Sequence, residues 1–288
     1  MSPWLLAARP KTLSAAVVPV LMGSALAADE PPAISWWVFA CALAGALLIQ
    51  IATNFINDAL DFKKGADTSE RLGPVRVTAA GLISAERVLR AAWLCLGLAA
   101  LCGSPLLGRG GWPLLVIGLA SIAAAYAYTG GPYPLAYHGM GELFVVLFFG
   151  FVAVGGTFYA HSLQLTQSAL LAGFAAGSLA TVLLVINNLR DIDSDRRSNK
   201  RTLAVRFGET FARAEVVFFT LAPFGAVACI AWIRGHGGLL LTLGALPLAL
   251  LVMLRALGSH GAKLNRALAI AGVLQWVFGI LFVAGAMI

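Results

Sequence analysis

Apolar runs of membrane-spanning length recur along almost the whole chain. They lie at Thr12–Ala28, Ile34–Leu60, Arg87–Leu107, Trp112–Thr129, Met140–Ala160, Ala169–Leu189, Phe211–Arg234, Gly238–Leu257 and Leu264–Met287. About 20 helical residues cross a hydrocarbon core of about 30 Å. The pattern therefore predicts an all-α, polytopic membrane bundle of about nine transmembrane helices, forming a single domain over residues 1–288. Two departures from nine are built into the pattern: span edges that move by a few residues give eight. So does cleavage after Ala25-Leu26-Ala27, since Arg9, Lys11 and the apolar stretch behind them have the layout of a secretory signal. The retained first helix is the expectation. Pro19, Pro223 and Pro247 fall inside spans and read as packed kinks.

Charge sharpens this picture. Hydrophobic residues make up 60% of the chain and charged ones 11%, against about 25% charged in soluble domains. Of the 20 Lys and Arg, 18 fall on one side of a nine-helix arrangement, and only Arg109 and Arg234 on the other. The positive-inside rule makes the rich side cytoplasmic, with the N-terminus inside and the C-terminus outside. The net charge of +7 thus belongs to topology. No basic helix interleaved with aromatics is present, which excludes a nucleic-acid partner. Cys41, Cys95, Cys102 and Cys229 sit within apolar runs without a Cys-x-x-Cys pair, as small buried hydrophobes do. The four histidines are scattered over four inter-helix regions and form no metal motif.

Polarity concentrates in two cytoplasmic loops, near 61–86 and 190–209, each introduced by an acidic helix end. In the first, Asn54, Asp58 and Asp61 are spaced i, i+4, i+7 and share a helical face, with Asn57 between them and Asp67 beyond. In the second, Asn187, Asp191 and Asp195 are spaced i, i+4, i+8, with Asn188 and Asp193 alongside. These two places hold six of the 13 acidic residues. Stacked carboxylates at a membrane boundary repel one another and resist desolvation; a multivalent cation relieves both costs. Hard oxygen donors select Mg²⁺ or Ca²⁺, and Mg²⁺ commonly shares its shell with substrate phosphates. Lys63, Arg76, Lys200 and Arg201 follow the acidic ends and suit a bound anion. The combination points to a metal-assisted diphosphate site at the cytoplasmic mouth.

The sequence resembles the UbiA superfamily of intramembrane aromatic prenyltransferases, and within it the branch acting on 1,4-dihydroxy-2-naphthoate in menaquinone biosynthesis. The resemblance runs through Arg9-Pro-Lys-Thr12, Asn57-Asp-x-x-Asp61-Phe-Lys-Lys-Gly65-x-Asp-Thr68, and Arg71-x-Gly-Pro74 with Val77-Thr-Ala-Ala-Gly81. It continues through Gly131-Pro-x-Pro-Leu-Ala-Tyr137, Gly139-x-Gly-Glu142, and Asn187-Asn-x-Arg-Asp-Ile-Asp-x-Asp195 with Lys200-Arg-Thr-Leu-Ala204. The chain departs from the superfamily at Gly65, where a third Asp often stands, and at Tyr133 and His138, where basic residues are common.

The resemblance implies Mg²⁺-dependent transfer of a polyprenyl group from its diphosphate to an aromatic ring in a bacterial cell membrane, with CO₂ lost from a naphthoate acceptor. It implies Asp58, Asp61, Asp191 and Asp195 as catalytic metal ligands, with Asp67 as a further candidate. Asn54, Asn57, Asn187, Asn188, Lys63, Arg76, Lys200 and Arg201 would face the diphosphate. Tyr126, Tyr128, Tyr137 and Glu142 would line the cation or acceptor pocket. The rival acceptors are 4-hydroxybenzoate, homogentisate, haem and chlorophyllide. A rival class is an ion or lipid-phosphate transporter, which would spread its polar residues through the bilayer instead of gathering them at one mouth. Prenyl chain length and oligomeric state are left open.

Overall fold

The computed structural model describes residues 2–30, 34–66 and 72–288. Helices and their connecting turns account for the described residues, with no strand among them. In order they are α1 (Pro3–Ala8), α2 (Ser14–Leu26), α3 (Trp36–Lys63), α4 (Ala85–Ala127), α5 (Gly141–Ser162), α6 (Gln167–Arg190), α7 (Ile192–Arg197), α8 (Leu203–Arg234), α9 (Gly237–Leu257) and α10 (Leu264–Ala286).

The 43-residue α4 would measure about 65 Å if straight, twice the hydrocarbon thickness. Instead it reverses at Gly111, whose φ of 64° and ψ of −148° are open only to a residue without a Cβ. Trp93 and Tyr126 would lie about 50 Å apart on a straight helix, yet their rings stack at 5.5 Å. The element is a hairpin whose arms, 85–110 and 112–127, are the third and fourth spans. Similarly, Gly208 (φ 86°) separates a short leading turn, residues 203–207, from the membrane-spanning part of α8. Counting both arms of α4, nine spans cross the bundle among the described residues, as the hydropathy pattern predicts. The first is short: α2 has 13 residues and meets the N-terminal segment at a bend of 47°. Trp4 and Leu5 on that segment are exposed, the placement of an interfacial anchor.

Among the helices of 18 residues or more, α6 is the most enclosed, with 72% of its apolar window buried against 44% or less in the others. Its small residues make this possible: without a hydrophobic force between helices in lipid, close backbone approach supplies the packing. A Cβ built on Gly150 of α5 would lie 2.3 Å from the Gly173 carbonyl oxygen of α6. That approach falls within the ten-residue π-helical stretch Val146–Gly155, where the wider turn alters how α5 meets its neighbours. The Arg109 guanidinium donates to the carbonyls of Ala160 and His161 at 2.7 and 2.6 Å, capping the end of α5. Arg234 donates to the Leu26 carbonyl and to Glu30 at 3.2 and 3.1 Å. The only two cations of the charge-poor face are thus helix caps.

Candidate active site

At the charge-rich end of the bundle the two acidic helix ends converge on one side chain, Tyr137, in the loop between α4 and α5. The Tyr137 hydroxyl donates to Asp61 Oδ1 at 2.9 Å. The Lys64 ammonium lies 4.6 Å from its ring centroid and that of Lys200 5.6 Å. Lys200 also reaches Asp195 Oδ1 at 3.8 Å, and the Arg201 amide donates to the Tyr137 carbonyl at 3.0 Å. One aromatic side chain therefore joins the first acidic segment to the second, with two cations on its face.

The remaining charges order themselves around this pair. Arg76, buried on the loop before α4, pairs with Asp61 Oδ2 at 3.3 Å. Burial lowers the Lys64 ammonium from its ordinary pKa, with Asp61 acting in the opposite direction. Its ammonium donates to the Thr129 carbonyl at 2.5 Å. Just past α4, Tyr128 has its phenol pKa raised, first by burial and then by the charges of Glu142, Asp61 and Asp195. Glu142, 5% exposed, accepts from the Asn188 amide at 2.9 Å. Asn57 accepts a short hydrogen bond from the Thr129 hydroxyl.

Other residues expected here point elsewhere. Asp58 has its carboxylate on the backbone of Val77 and Thr78. Asp191 is held by Arg190 through two bonds of 2.8 and 2.6 Å, and Arg190 is held by Asn265 at 2.8 Å. Asn54 donates to the Ala8 carbonyl and the Thr12 hydroxyl, tying α3 to the N-terminal segment. Asn187 bonds back to its own helix at Leu183. Lys63 pairs with Glu86 at the surface, 3.6 Å away. Arg201 is exposed, and Tyr126 packs inside the α4 hairpin against Trp93. Asp67 lies outside the described residues. No group of three His, Cys, Asp or Glu side chains is already gathered as a metal nest among the described residues; the acidic ends face one another with cations and a phenol between them.

Below Tyr128, an apolar cavity of about 330 Å³ runs between α2, α3, both arms of α4 and α5. Small side chains open it, among them Gly45, Ala46, Gly103 and Gly118, and Phe144 and Phe148 wall it. Its lining extends from Leu114 to Tyr128, about 21 Å along the helix. A polar anion-and-cation head above an apolar slot of this length is suited to an amphipathic ligand with a charged end.

The sequence matches the model of the UbiA prenyltransferase family over residues 16–272. The chain belongs to that family. Among curated members it is 40% identical over 247 residues to the 1,4-dihydroxy-2-naphthoate octaprenyltransferase of Mycobacterium tuberculosis, covering 86% of this chain and 83% of the relative. It is 38% identical to the Escherichia coli protein of the same name, covering 79% and 75%. With the Mycobacterium leprae protein, also of that name, identity is 36% over 99% of this chain and 95% of the relative. The fold is shared with a solved UbiA homologue from Archaeoglobus fulgidus bound to DMAPP and Mg²⁺, at a TM-score of 0.70 and 15% identity over the full length of both chains. The family assignment makes this chain a prenyltransferase and an integral membrane protein.

Sequence reasoning missed three participants. Lys64, an exposed residue whose ammonium turns to Thr129 and Tyr137, takes the place expected of Lys63, and its position three residues after Asp61 on the same helical face was the available signal. Thr129 and the Arg190–Asn265 clamp carry no motif and become visible only once the helices are assembled.

Proposed function

We propose that the protein transfers a polyprenyl group from polyprenyl diphosphate to 1,4-dihydroxy-2-naphthoate, releasing diphosphate and CO₂ and giving demethylmenaquinone in its quinol form. The observation that carries the reading is the meeting of Asp61 and Asp195 around Tyr137, at the head of an apolar slot. The naphthoate acceptor is supported by relatives at 36–40% identity that carry that activity in their names.

The donor set fits Mg²⁺: carboxylate and amide oxygens, all hard, flanked by cations suited to phosphate. Asp61 and Asp195 would hold it, joined by Asp191 on release from Arg190, with Asn57 and Asn188 as neutral hydrogen-bonding neighbours. When bound, Mg²⁺ neutralises charge on the departing diphosphate. Lys64, Arg76 and Lys200 add fixed positive charge where that negative charge develops. The allylic carbon thereby loses its leaving group and becomes cation-like. Tyr128, Tyr137 and the phenylalanines of the slot keep water from it and offer their π faces. The electron-rich ring attacks this carbon, and the electron pair of the departing carboxylate returns to the ring as CO₂ leaves. Glu142, oriented by Asn188, is placed to accept a hydrogen bond from an acceptor hydroxyl. The 18-to-2 charge split supports a site on the cytoplasmic face.

The test is turnover by purified protein with Mg²⁺ and a long polyprenyl diphosphate, using 1,4-dihydroxy-2-naphthoate, 4-hydroxybenzoate and homogentisate as parallel acceptors. Quinol product and CO₂ with the naphthoate alone are expected. Turnover of another acceptor in its place would retain prenyl transfer and reject the naphthoate assignment.

A further inference from the structure

Asp58 shares its face of α3 with Asn54 and Asp61 by spacing, yet its carboxylate accepts from three donors of another part of the chain. It is 1% exposed. Oδ2 accepts the Val77 N–H at 3.1 Å, and Oδ1 accepts the Thr78 N–H at 3.0 Å and the Thr78 hydroxyl at 2.5 Å. The same hydroxyl lies 2.9 Å from the Asp58 backbone carbonyl. Val77 and Thr78 are 0% and 5% exposed, so their amides have no recourse to water if Asp58 turns away. The residue before them is Arg76, whose guanidinium meets Asp61 at 3.3 Å. Two carboxylates one helical turn apart thus grip three consecutive loop residues, Asp58 by the backbone and Asp61 by the side chain.

We infer that Asp58 is a positioning residue that holds the 76–78 turn and so presents Arg76 to Asp61 and the diphosphate, and that it is not itself a metal ligand. A metal ligand must aim a lone pair into the site. A carboxylate has about four lone-pair directions, and three of those at Asp58 are taken by donors from one turn. Rotating it inward would strand two buried amides at the moment of binding. Asp61 accepts instead from two side chains, the Tyr137 hydroxyl at 2.9 Å and the Arg76 guanidinium at 3.3 Å. The inference rests on the reading of the site as one for a prenyl diphosphate and divalent metal.

The experiment measures Mn²⁺ binding by electron paramagnetic resonance, with geranyl diphosphate present and no acceptor, in the wild type, Asp58→Asn, Thr78→Val and Asp61→Asn. It is paired with steady-state kinetics of Asp58→Asn, Arg76→Gln and their double variant. Wild type and Asp58→Asn should bind Mn²⁺ with affinities within about threefold, and Asp61→Asn should weaken it at least about tenfold. The prenyl diphosphate KM should rise about tenfold in Asp58→Asn and in Arg76→Gln, and the double variant should be no worse than Arg76→Gln alone, because residues acting through one another are not additive. Thr78→Val, which keeps the carboxylate and removes one of its anchors, should shift KM in the same direction. Loss of Mn²⁺ in Asp58→Asn comparable to that in Asp61→Asn overturns the inference, as do fully additive KM effects. Should Asp58→Asn fail to fold, Thr78→Val decides, since unchanged KM with weakened Mn²⁺ binding contradicts a positioning role. A wild type that binds no Mn²⁺ with geranyl diphosphate overturns the site reading as well.

Discussion

Tyr137 offers the sharpest test of how the two halves of the site cooperate. Replacing it with Phe removes one hydroxyl and leaves the ring under Lys64 and Lys200. The lost bond, 2.9 Å to Asp61 in a part-buried setting, joins a neutral donor to a charged acceptor, a class that contributes about 1.5–3 kcal/mol. If Asp61 must be held for the diphosphate to bind, kcat/KM for the prenyl donor falls by about ten- to a hundredfold. Tyr137→Leu removes the π face as well. Two cation–π contacts at about 0.5–1 kcal/mol each add a further loss of about five- to thirtyfold. Initial rates against prenyl diphosphate at saturating acceptor separate the two variants. Wild-type kinetics in Tyr137→Phe, or a Tyr137→Leu no worse than Tyr137→Phe, would refute the linking role.

Three further outcomes follow from the same geometry. Gly118 lines the slot with open space at its Cβ position and sits about 15 Å along the helix from Tyr128. Gly118→Phe should lower kcat/KM at least about tenfold for long polyprenyl diphosphates and leave dimethylallyl diphosphate within about twofold, measured in parallel; each tenfold corresponds to about 1.4 kcal/mol. Gly150→Ala forces a methyl within 2.3 Å of the Gly173 carbonyl oxygen and should cost about 1–3 kcal/mol, seen as a lower Tm in detergent. Gly225→Ala, with no atom within 4 Å of the added methyl, should leave Tm unchanged or raised. Lys64→Gln should slow turnover far more than Lys63→Gln, because only Lys64 reaches Tyr137 while Lys63 pairs with an exposed Glu86.

Much of the fold is legible from the chain because bilayer thickness fixes helix length and loop charge marks which helix ends lie together. Even the α4 hairpin, continuous by hydrogen bonding, shows in the sequence as Gly110-Gly111 between two apolar runs. The acidic segments are legible for the same reason: carboxylates are too costly near hydrocarbon to be incidental. What the spacing does not resolve is the direction each side chain takes within a shared face. Asp58 and Asp61 lie about 60° apart around α3 (three residues at about 3.6 per turn), enough to send one to the 76–78 turn and the other to Tyr137. Asn54 falls on the same stripe but one turn deeper, where α1 and Thr12 cover it. Tyr126 and Tyr128 differ by two positions, so one faces the hairpin partner and the other the site. Such assignments depend on which neighbour packs against each sector of a helix, information carried by residues distant in sequence.

The most direct measurement of the central claim is prenyl transfer to 1,4-dihydroxy-2-naphthoate by the wild type, Asp61→Asn and Asp195→Asn, each with Mg²⁺, with EDTA and after Mg²⁺ is restored. Product formation in the wild type that EDTA abolishes and Mg²⁺ restores, with a loss of at least about a hundredfold (about 2.7 kcal/mol) in both variants, is the predicted result. Turnover that survives EDTA, or persists in either variant at the wild-type rate, would contradict a metal–diphosphate site built from the two acidic segments.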